Sequence, residues 1–488
     1  MTSAELIVEA RARLLSGDWA RAVAQLQLAA VWSGDAAAYN ELGSALSVGG
    51  SSAAAYQKHL QAAALDPTSG ATQFLLAQTQ QQLCLVEDAV KGYEGLLAAN
   101  PGLIEAASYR ACALNYLESD QAKILQATQD FAKLLPEQER PRETRPLRKV
   151  GFLSSSFRRH SNAYFLQAIL QHAQSADIKV ILYHDSPHQD DVTRSLGGCL
   201  KSVAGLDNDA LLALIRSDDL DMLVEIDGHF SRNRLPVLAK RAAPNQVSYL
   251  GYPNTTGVPA IDWRLGDSFV DPAVHDAHFT EKVKRLKCLW AYMPLATAPN
   301  IAPRSRHGIT YGYFGLLSKI SAPVLAAWKM LLDVDVDATL LVKGDFLSEP
   351  QLFRLWREKF KAAGFDTARI ILRAKTPTTE VHLDAYNDVD VALDTWPYNG
   401  TTTTCEALWM GVPVVTMLGS RHASRVGAAL IPSAAVVATD AKGYVDSALD
   451  AAGLRFTRDE LSDSCFWMQR SAVARNFWET LAELAEQP

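Results

Sequence analysis

Cysteine is scarce and unpatterned in this chain. Six are spread over 488 residues (Cys84, Cys112, Cys199, Cys288, Cys405 and Cys465), with no CxxC pair. That spacing excludes a disulfide framework or a zinc ribbon and suits free thiols in a reducing compartment. Long apolar runs are missing as well: none approaches the ~20 residues that cross a bilayer. Met1-Thr2-Ser3-Ala4-Glu5 lacks the basic-then-apolar order of a secretory leader. No block of lysine or arginine stands out, the net charge is −7 and the pI is near 5.9. No nucleic acid and no membrane are therefore expected as partners, and the chain reads as cytoplasmic.

What is present begins with a repeat. Leu65-Asp66-Pro67 and Ala99-Asn100-Pro101 close two similar units 34 residues apart. Gly43, Ala77 and Ala111 share that spacing, each inside a helical pattern, and so do Ala55 and Ala89 in the second helices. Small residues there let paired helices approach closely. A period of 34 with a terminal proline is the tetratricopeptide signature. Gly17-Asp18-Trp19-Ala20-Arg21-Ala22 looks like a worn earlier copy. Three units and a partial fourth cover about residues 1–135 and predict an α-solenoid with a concave binding face. Residues 136–148, proline-punctuated and charged, read as a linker or a short charged helix.

The rest alternates strand and helix, which predicts parallel sheets. Lys149-Val150-Gly151-Phe152-Leu153-Ser154 is a first strand, and His160 lies in the loop that follows it. Ligands gather at the carboxyl ends of strands in open α/β sheets, so that histidine is a candidate site residue. A later strand runs into Leu250-Gly251-Tyr252-Pro253-Asn254-Thr255-Thr256-Gly257, a Gly/Thr loop placed to face a second one across a cleft. A second α/β unit starts at Ile309, and Lys319 sits in the loop after its first strand. Two such units side by side suggest the two-Rossmann architecture of many nucleotide-sugar transferases.

The most informative stretch is 388–430. Val389, Val391 and Leu393 alternate with Asp390, Ala392 and Asp394 as a strand does. Trp396-Pro397-Tyr398-Asn399-Gly400 is a turn-rich loop, and Thr401, Thr402, Thr403 and Thr404 open a helix. A helix N-terminus offers unpaired N–H groups and the positive end of its dipole; the glycine lets an anion approach and the hydroxyls add donors. That is a phosphate site, although an ordinary threonine N-cap looks the same in isolation. Glu406, about one turn in, is within reach of a ribose. Metal signals are weak. His184 with His188 and His275 with His278 lack cysteine or carboxylate partners at suitable spacing. Asp333-Val-Asp335-Val-Asp337 and Asp388-Val-Asp390 have a DxD look but read as strand openings, so no metal is expected.

Four blocks in order, VGFLSSSFRRHSNAYF, YLGYPNTTG, FGLLSKISAPVLAAW and LDTWPYNGTTTTCEALWMGVPVVTMLGSRHASRVGAAL, resemble the O-linked N-acetylglucosamine transferase family, including SPINDLY-like and bacterial members. Tetratricopeptide units before the catalytic region also fit. The resemblance implies a GT-B fold with an N-terminal Rossmann-like lobe on the acceptor side (149–305) and a C-terminal lobe for the nucleotide sugar, with C-terminal helices (306–488). It implies inverting, metal-independent transfer of a sugar from a UDP-sugar to protein side chains (Ser/Thr or Asn), with no cofactor beyond the donor. By position, Lys319 matches the lysine on the diphosphate and His160 the N-lobe active-site histidine. Likewise His382 matches the histidine beside the uracil, with the backbone of Lys375 and Thr376 at the base edge. Thr402 and Thr403 match the threonines on the phosphates, next to Gly400. Glu406 replaces an aspartate on the ribose, and Leu250, Gly251 and Pro253 match the loop near the donor sugar. Leu316, Thr401 and Asp221 depart from the animal pattern of glutamine, histidine and histidine. These departures leave the donor sugar open among GlcNAc, glucose and, from GDP, fucose.

The chemistry agrees with the resemblance. A departing nucleotide diphosphate gains negative charge, and without a metal a cation and backbone dipoles must neutralise it. Lys319 and the helix at Thr402 supply both. The hydroxyl nucleophile needs a proton acceptor, either His160 or a phosphate oxygen. The expectation is a cytoplasmic protein glycosyltransferase whose solenoid binds the protein acceptor. Two alternatives stay open: a tetratricopeptide adaptor with a weakened transferase domain, and an enzyme acting on a non-protein acceptor.

Overall fold

The structure, a computed structural model, describes residues 2–173, 177–293, 298–302, 308–433 and 436–487. Its N-terminal part is helical throughout. Ser3–Leu15 pairs with Trp19–Ser33, Ala36–Val48 with Ser52–Leu65, Gly70–Gln82 with Val86–Ala99, and Ile104–Ala113 with Gln121–Ala132. Asp35, Ser69 and Asp120 cap three of these helices by accepting the N–H three residues on. The periodic small residues do the work the spacing predicts. A Cβ on Gly43 would meet the His59 ring at 2.4 Å, and one on Gly92 would meet Ala77 at 3.0 Å.

Residues 136–148 form an extended strap rather than a helix. Arg140 donates to the carbonyls of Arg241 and Ala242, and Arg142 to Asn245 and the Leu484 carbonyl. Next come seven strands: β1 (Lys149–Ser154), β2 (Lys179–His184), β3 (Cys199–Ser202), β4 (Met222–Glu225), β5 (Asn245–Ser248), β6 (Trp263–Asp267) and β7 (Lys282–Leu286). They lie in the order β3-β2-β1-β4-β5-β6-β7 and pair in parallel throughout. A second parallel sheet holds β8 (Thr310–Tyr313), β9 (Thr339–Gly344), β10 (Ile370–Ala374), β11 (Val391–Leu393), β12 (Val414–Met417) and β13 (Val437–Ala438), in the order β10-β9-β8-β11-β12-β13. The strand order reverses between β1 and β4 and again between β8 and β11. Crevices open at the carboxyl ends of such switch points.

The residue 305/306 boundary between the lobes lies outside the described residues. The last helix, Arg470–Glu486, does not stay with the second sheet. It returns to the first, where Trp478 Nε1 donates to the Ile169 carbonyl at 2.8 Å and Phe477 packs on Tyr249. The solenoid is equally bound in. Ala107 and Phe131 belong to the first lobe's core, and Asn115 bonds the Tyr252 hydroxyl and Asn254. On the other lobe, Glu349 accepts from the Ser52 and Ala53 N–H groups at 3.1 and 2.9 Å. It thereby caps the helix Ser52–Leu65 from across the fold. Among the described residues no helix is long and apolar enough to cross a membrane.

Candidate active site at the paired switch points

The loop after β11 is folded around a buried carboxylate. Asp394 Oδ1 accepts from the N–H groups of Thr395 at 2.8 Å and Gly400 at 2.6 Å, and Oδ2 accepts from Thr416 Oγ1 at 2.6 Å. These bonds curl Trp396-Pro397-Tyr398-Asn399 into a tight turn. The helix Thr402–Trp409 then starts with Thr401 at its N-cap, where the Thr401 side chain makes no capping bond. The Thr401 side chain thus takes up none of the donors of the helix N-terminus. Gly400 is required by contact: a Cβ there would meet Thr403 Oγ1 at 2.6 Å.

Lys319 enters from the 3-10 turn after β8. Its Nζ donates to the Asn399 carbonyl at 2.7 Å and lies 3.8 Å from the centre of the Tyr398 ring. Burial pulls its pKa below the ordinary lysine value, and Asp394 opposes that pull. Asp394 in turn is raised by burial, against the bonds from Gly400, Thr416 and Thr395 and the charge of Lys319. Lys319 is thus a cation fixed beside a helix N-terminus.

A second cluster stands at the carboxyl ends of β9 and β10. Lys343, at the end of β9, donates to His382 Nδ1, which leaves the proton of a neutral ring on Nε2, 3.0 Å from Glu406 Oε2. Phe314 packs against His382 and Tyr386, with ring centres 6.0 and 4.5 Å away. Burial pushes Lys343 down to about 8, with Glu406 acting the other way. Both nitrogens of His382 are engaged, so the ring is left to stack. Lys375 follows β10, with its exposed Nζ 3.3 Å from Asp345, and the Thr376 hydroxyl has no protein partner.

The first lobe faces these clusters. His160 is the N-cap of the helix Ser161–His172, its Nδ1 accepting from the Asn162 N–H at 3.3 Å. Burial, and then Arg158, push its pKa down to about 4. Arg159 crosses the cleft to Thr379 Oγ1 at 3.2 Å. Leu250 has a left-handed φ of 75°, which strains a branched side chain. A Cβ on Gly251 would meet the Ile226 carbonyl at 2.2 Å and Asn162 Nδ2 at 2.9 Å. Gly251 thus lies against the helix start that His160 caps, and Leu250 and Pro253 flank it in the same loop. Arg264 supports that loop by donating to the carbonyls of Tyr252 and Asn254.

Some expected site features lie elsewhere. The threonines of the Leu250–Gly257 stretch do not face the Gly400 loop, because Thr255 and Thr256 both bond the buried Glu281. Asp221 sits at the opposite end of the sheet, where its Oδ2 accepts from the N–H groups of Arg148 and Lys149. Asp335 accepts from Tyr311 and Asp390 accepts from the Thr310 N–H, both at strand openings away from the cleft, and Asp388, which precedes β11, pairs with Arg373. His275 and His278 stack on each other while Asp276 pairs with Arg285. Asp394 and Lys343 were missed from sequence. Their one signal is shared: each is a charged residue at the end of an apolar strand.

Two facing parallel sheets, with a cation and a helix N-terminus at one switch point, define a two-lobed GT-B scaffold of the glycosyltransferase class. The pattern of glycosyl transferase family 41 matches residues 123–298 and 299–474, and the chain belongs to that family. It is similar to the probable UDP-N-acetylglucosamine–peptide N-acetylglucosaminyltransferase SPINDLY of Oryza sativa subsp. japonica, at 36% identity over 390 residues. That match covers 74% of this chain and 42% of the relative; the chain matches about two-fifths of the length of such relatives. SEC of Arabidopsis thaliana, another probable enzyme of the same description, is 26% identical over 58% of this chain and 30% of its own length. A lysine-to-methionine mutant of the Thermobaculum terrenum O-GlcNAc transferase has the same fold, with a TM-score of 0.90 at 27% identity, covering 99% of this chain and 97% of that one.

Proposed function

We propose that the protein transfers a sugar from a UDP-sugar to side chains of other proteins, in one inverting displacement and without a metal ion. The observation that carries this reading is Lys319, held on Tyr398 and the Asn399 carbonyl beside the start of the helix Thr402–Trp409. As the anomeric C–O bond breaks, charge builds on the diphosphate. A fixed ammonium and a set of oriented N–H groups stabilise that charge without reorganising. The nucleoside is assigned to the Phe314, His382 and Glu406 cluster, with the His382 ring on the base and the free oxygen of Glu406 on the ribose. The names of the relatives support UDP-N-acetylglucosamine as donor and a peptide as acceptor.

His160 is assigned to hydrogen bonding rather than to proton removal. Its Nδ1 accepts a backbone N–H, so the neutral ring carries its proton on Nε2 and donates there. With a pKa near 4 it is also a weak base. The acceptor hydroxyl then passes its proton to a phosphate oxygen as the new C–O bond forms and UDP leaves. Six cysteines without a disulfide support a reducing compartment, the cytoplasm.

A donor panel of UDP-N-acetylglucosamine, UDP-glucose and GDP-fucose, read by intact mass of co-expressed candidate proteins in EDTA, tests the proposal. Mass gain from a UDP-sugar in chelator is expected. Gain from GDP-fucose alone overturns the donor, and activity that returns only with Mn²⁺ or Mg²⁺ overturns the metal-free mechanism. No transfer together with no UDP binding by titration calorimetry replaces the enzyme with an adaptor.

A further inference from the structure

The helical repeats reach the donor site itself. The 3-10 turn Leu114–Tyr116 follows the helix Ile104–Ala113. Its Tyr116 ring packs on Tyr398, with centres 4.9 Å apart and planes tilted by 47°. That same Tyr398 ring carries the Lys319 ammonium at 3.8 Å. Three segments distant in sequence thus meet in one contact series: repeat region, phosphate loop and the turn after β8.

The neighbours of Tyr116 hold it there from both sides. Asn115 Nδ2 donates to the Tyr252 hydroxyl at 2.9 Å, and Asn115 Oδ1 accepts from Asn254 at 3.0 Å, both in the first lobe. The Leu117 carbonyl accepts from Arg421 of the second lobe at 3.1 Å. Tyr116 is therefore pinned between two residues tied to opposite lobes.

An ammonium is attracted to an aromatic face only while the ring stays under it. Tyr398 lies in a loop, where turning its side chain is opposed by whatever packs against the ring. We propose that Tyr116 is a positioning residue of the donor site: it wedges the Tyr398 ring, which with the Asn399 carbonyl aims Lys319 at the departing diphosphate. The inference rests on the reading of Lys319 given above. It makes the last repeat part of the donor site, in addition to any recruiting role of the array.

The test uses the full chain with UDP-N-acetylglucosamine, or whichever donor the panel selects, and the variants Tyr116→Leu and Tyr116→Phe. Loss of a cation–π contact predicts a fall in kcat of about 2- to 30-fold for Tyr116→Leu. The KM for acceptor should stay within about twofold, because the wedge acts on the lysine and not on the acceptor. Tyr116→Phe keeps the ring and should retain most of the activity. In a Lys319→Ala background, Tyr116→Leu should cost little further, since the two act through one contact. Should the leucine variant melt early, Tyr116→Met refills the space without a ring, with the same outcomes expected. Wild-type kcat in the ringless variant, an equal loss in Tyr116→Phe, or full additivity with Lys319→Ala overturns the inference. Normal kcat in Lys319→Ala alone instead overturns the reading of the lysine. A slow Lys319→Ala beside a fast Tyr116→Leu removes only the wedge.

Discussion

Lys319 brings a full positive charge into a half-buried niche whose other members are a tyrosine face, a carbonyl and the carboxylate of Asp394. Neutral donors at the start of the helix Thr402–Trp409 suit the ground-state diphosphate. On the proposed mechanism the charge added on bond breaking calls for a cation, so the lysine is expected to act more on the transition state than on binding. Lys319→Ala should lower kcat by about 10²–10³-fold, the scale of losing an oxyanion donor, with a smaller change in donor KM. Lys319→Arg should rescue poorly, since a planar fork does not fit the seat of a compact ammonium. Steady-state kinetics on the purified variants decide this; near-normal kcat in the alanine variant removes the lysine from the mechanism. Single residues also explain one departure from the animal pattern. Asp221 lies at the opening of β4, far from the cleft, where its carboxylate satisfies two backbone N–H groups.

The element that matters most is the helix Thr402–Trp409 with the turn before it. Gly400 is the tightest point of that turn, since an added methyl would press on Thr403 Oγ1 at 2.6 Å and Thr404 Oγ1 at 3.1 Å. The hydroxyls give way more easily than the strand behind them, so Gly400→Ala should displace the threonines from any bound phosphate. Hydrogen bonds to a charged group are worth about 1.5–3 kcal/mol each, which predicts UDP binding weaker by about 10- to 100-fold at an unchanged melting temperature. Calorimetry with UDP checks this, and unchanged affinity takes the loop out of phosphate binding. This turn was legible in sequence because its chemistry is local: a strand, a glycine and a run of threonines within a dozen or so residues. The repeat period was legible for the same reason. What escaped depends on contacts between distant segments. Lys343 finds His382 and Glu406 only once β9 lies beside β10 and the switch point is closed. The threonines after Gly251 look like those after Gly400, yet a glutamate 25 residues later takes them up. The return of Arg470–Glu486 to the first lobe rests on such contacts too, Phe477 on Tyr249 and Trp478 on the Ile169 carbonyl.

At the scale of the whole molecule the solenoid is continuous with the catalytic lobes. The family pattern already begins at residue 123, inside the helix Gln121–Ala132, and Phe131 is fully buried in the first lobe's core. Cutting one such side chain back to alanine costs about 3–5 kcal/mol, and a domain holds only about 5–15 kcal/mol in all. Deleting residues 1–135 should therefore abolish cooperative folding. Deleting residues 1–33, a terminal repeat that touches mainly its neighbour, should leave UDP affinity within a few-fold. Melting curves and calorimetry on both truncations separate these outcomes; a folded, UDP-binding protein lacking residues 1–135 refutes this account. The cap that Glu349 places on the helix Ser52–Leu65 has a mechanical corollary. The array is anchored to the second lobe at that point, and further along the turn Leu114–Tyr116 and Leu117 are tied to both lobes, so it spans the two lobes as a brace. Any change in the spacing of the two lobes must therefore either flex the array or open the Glu349 cap.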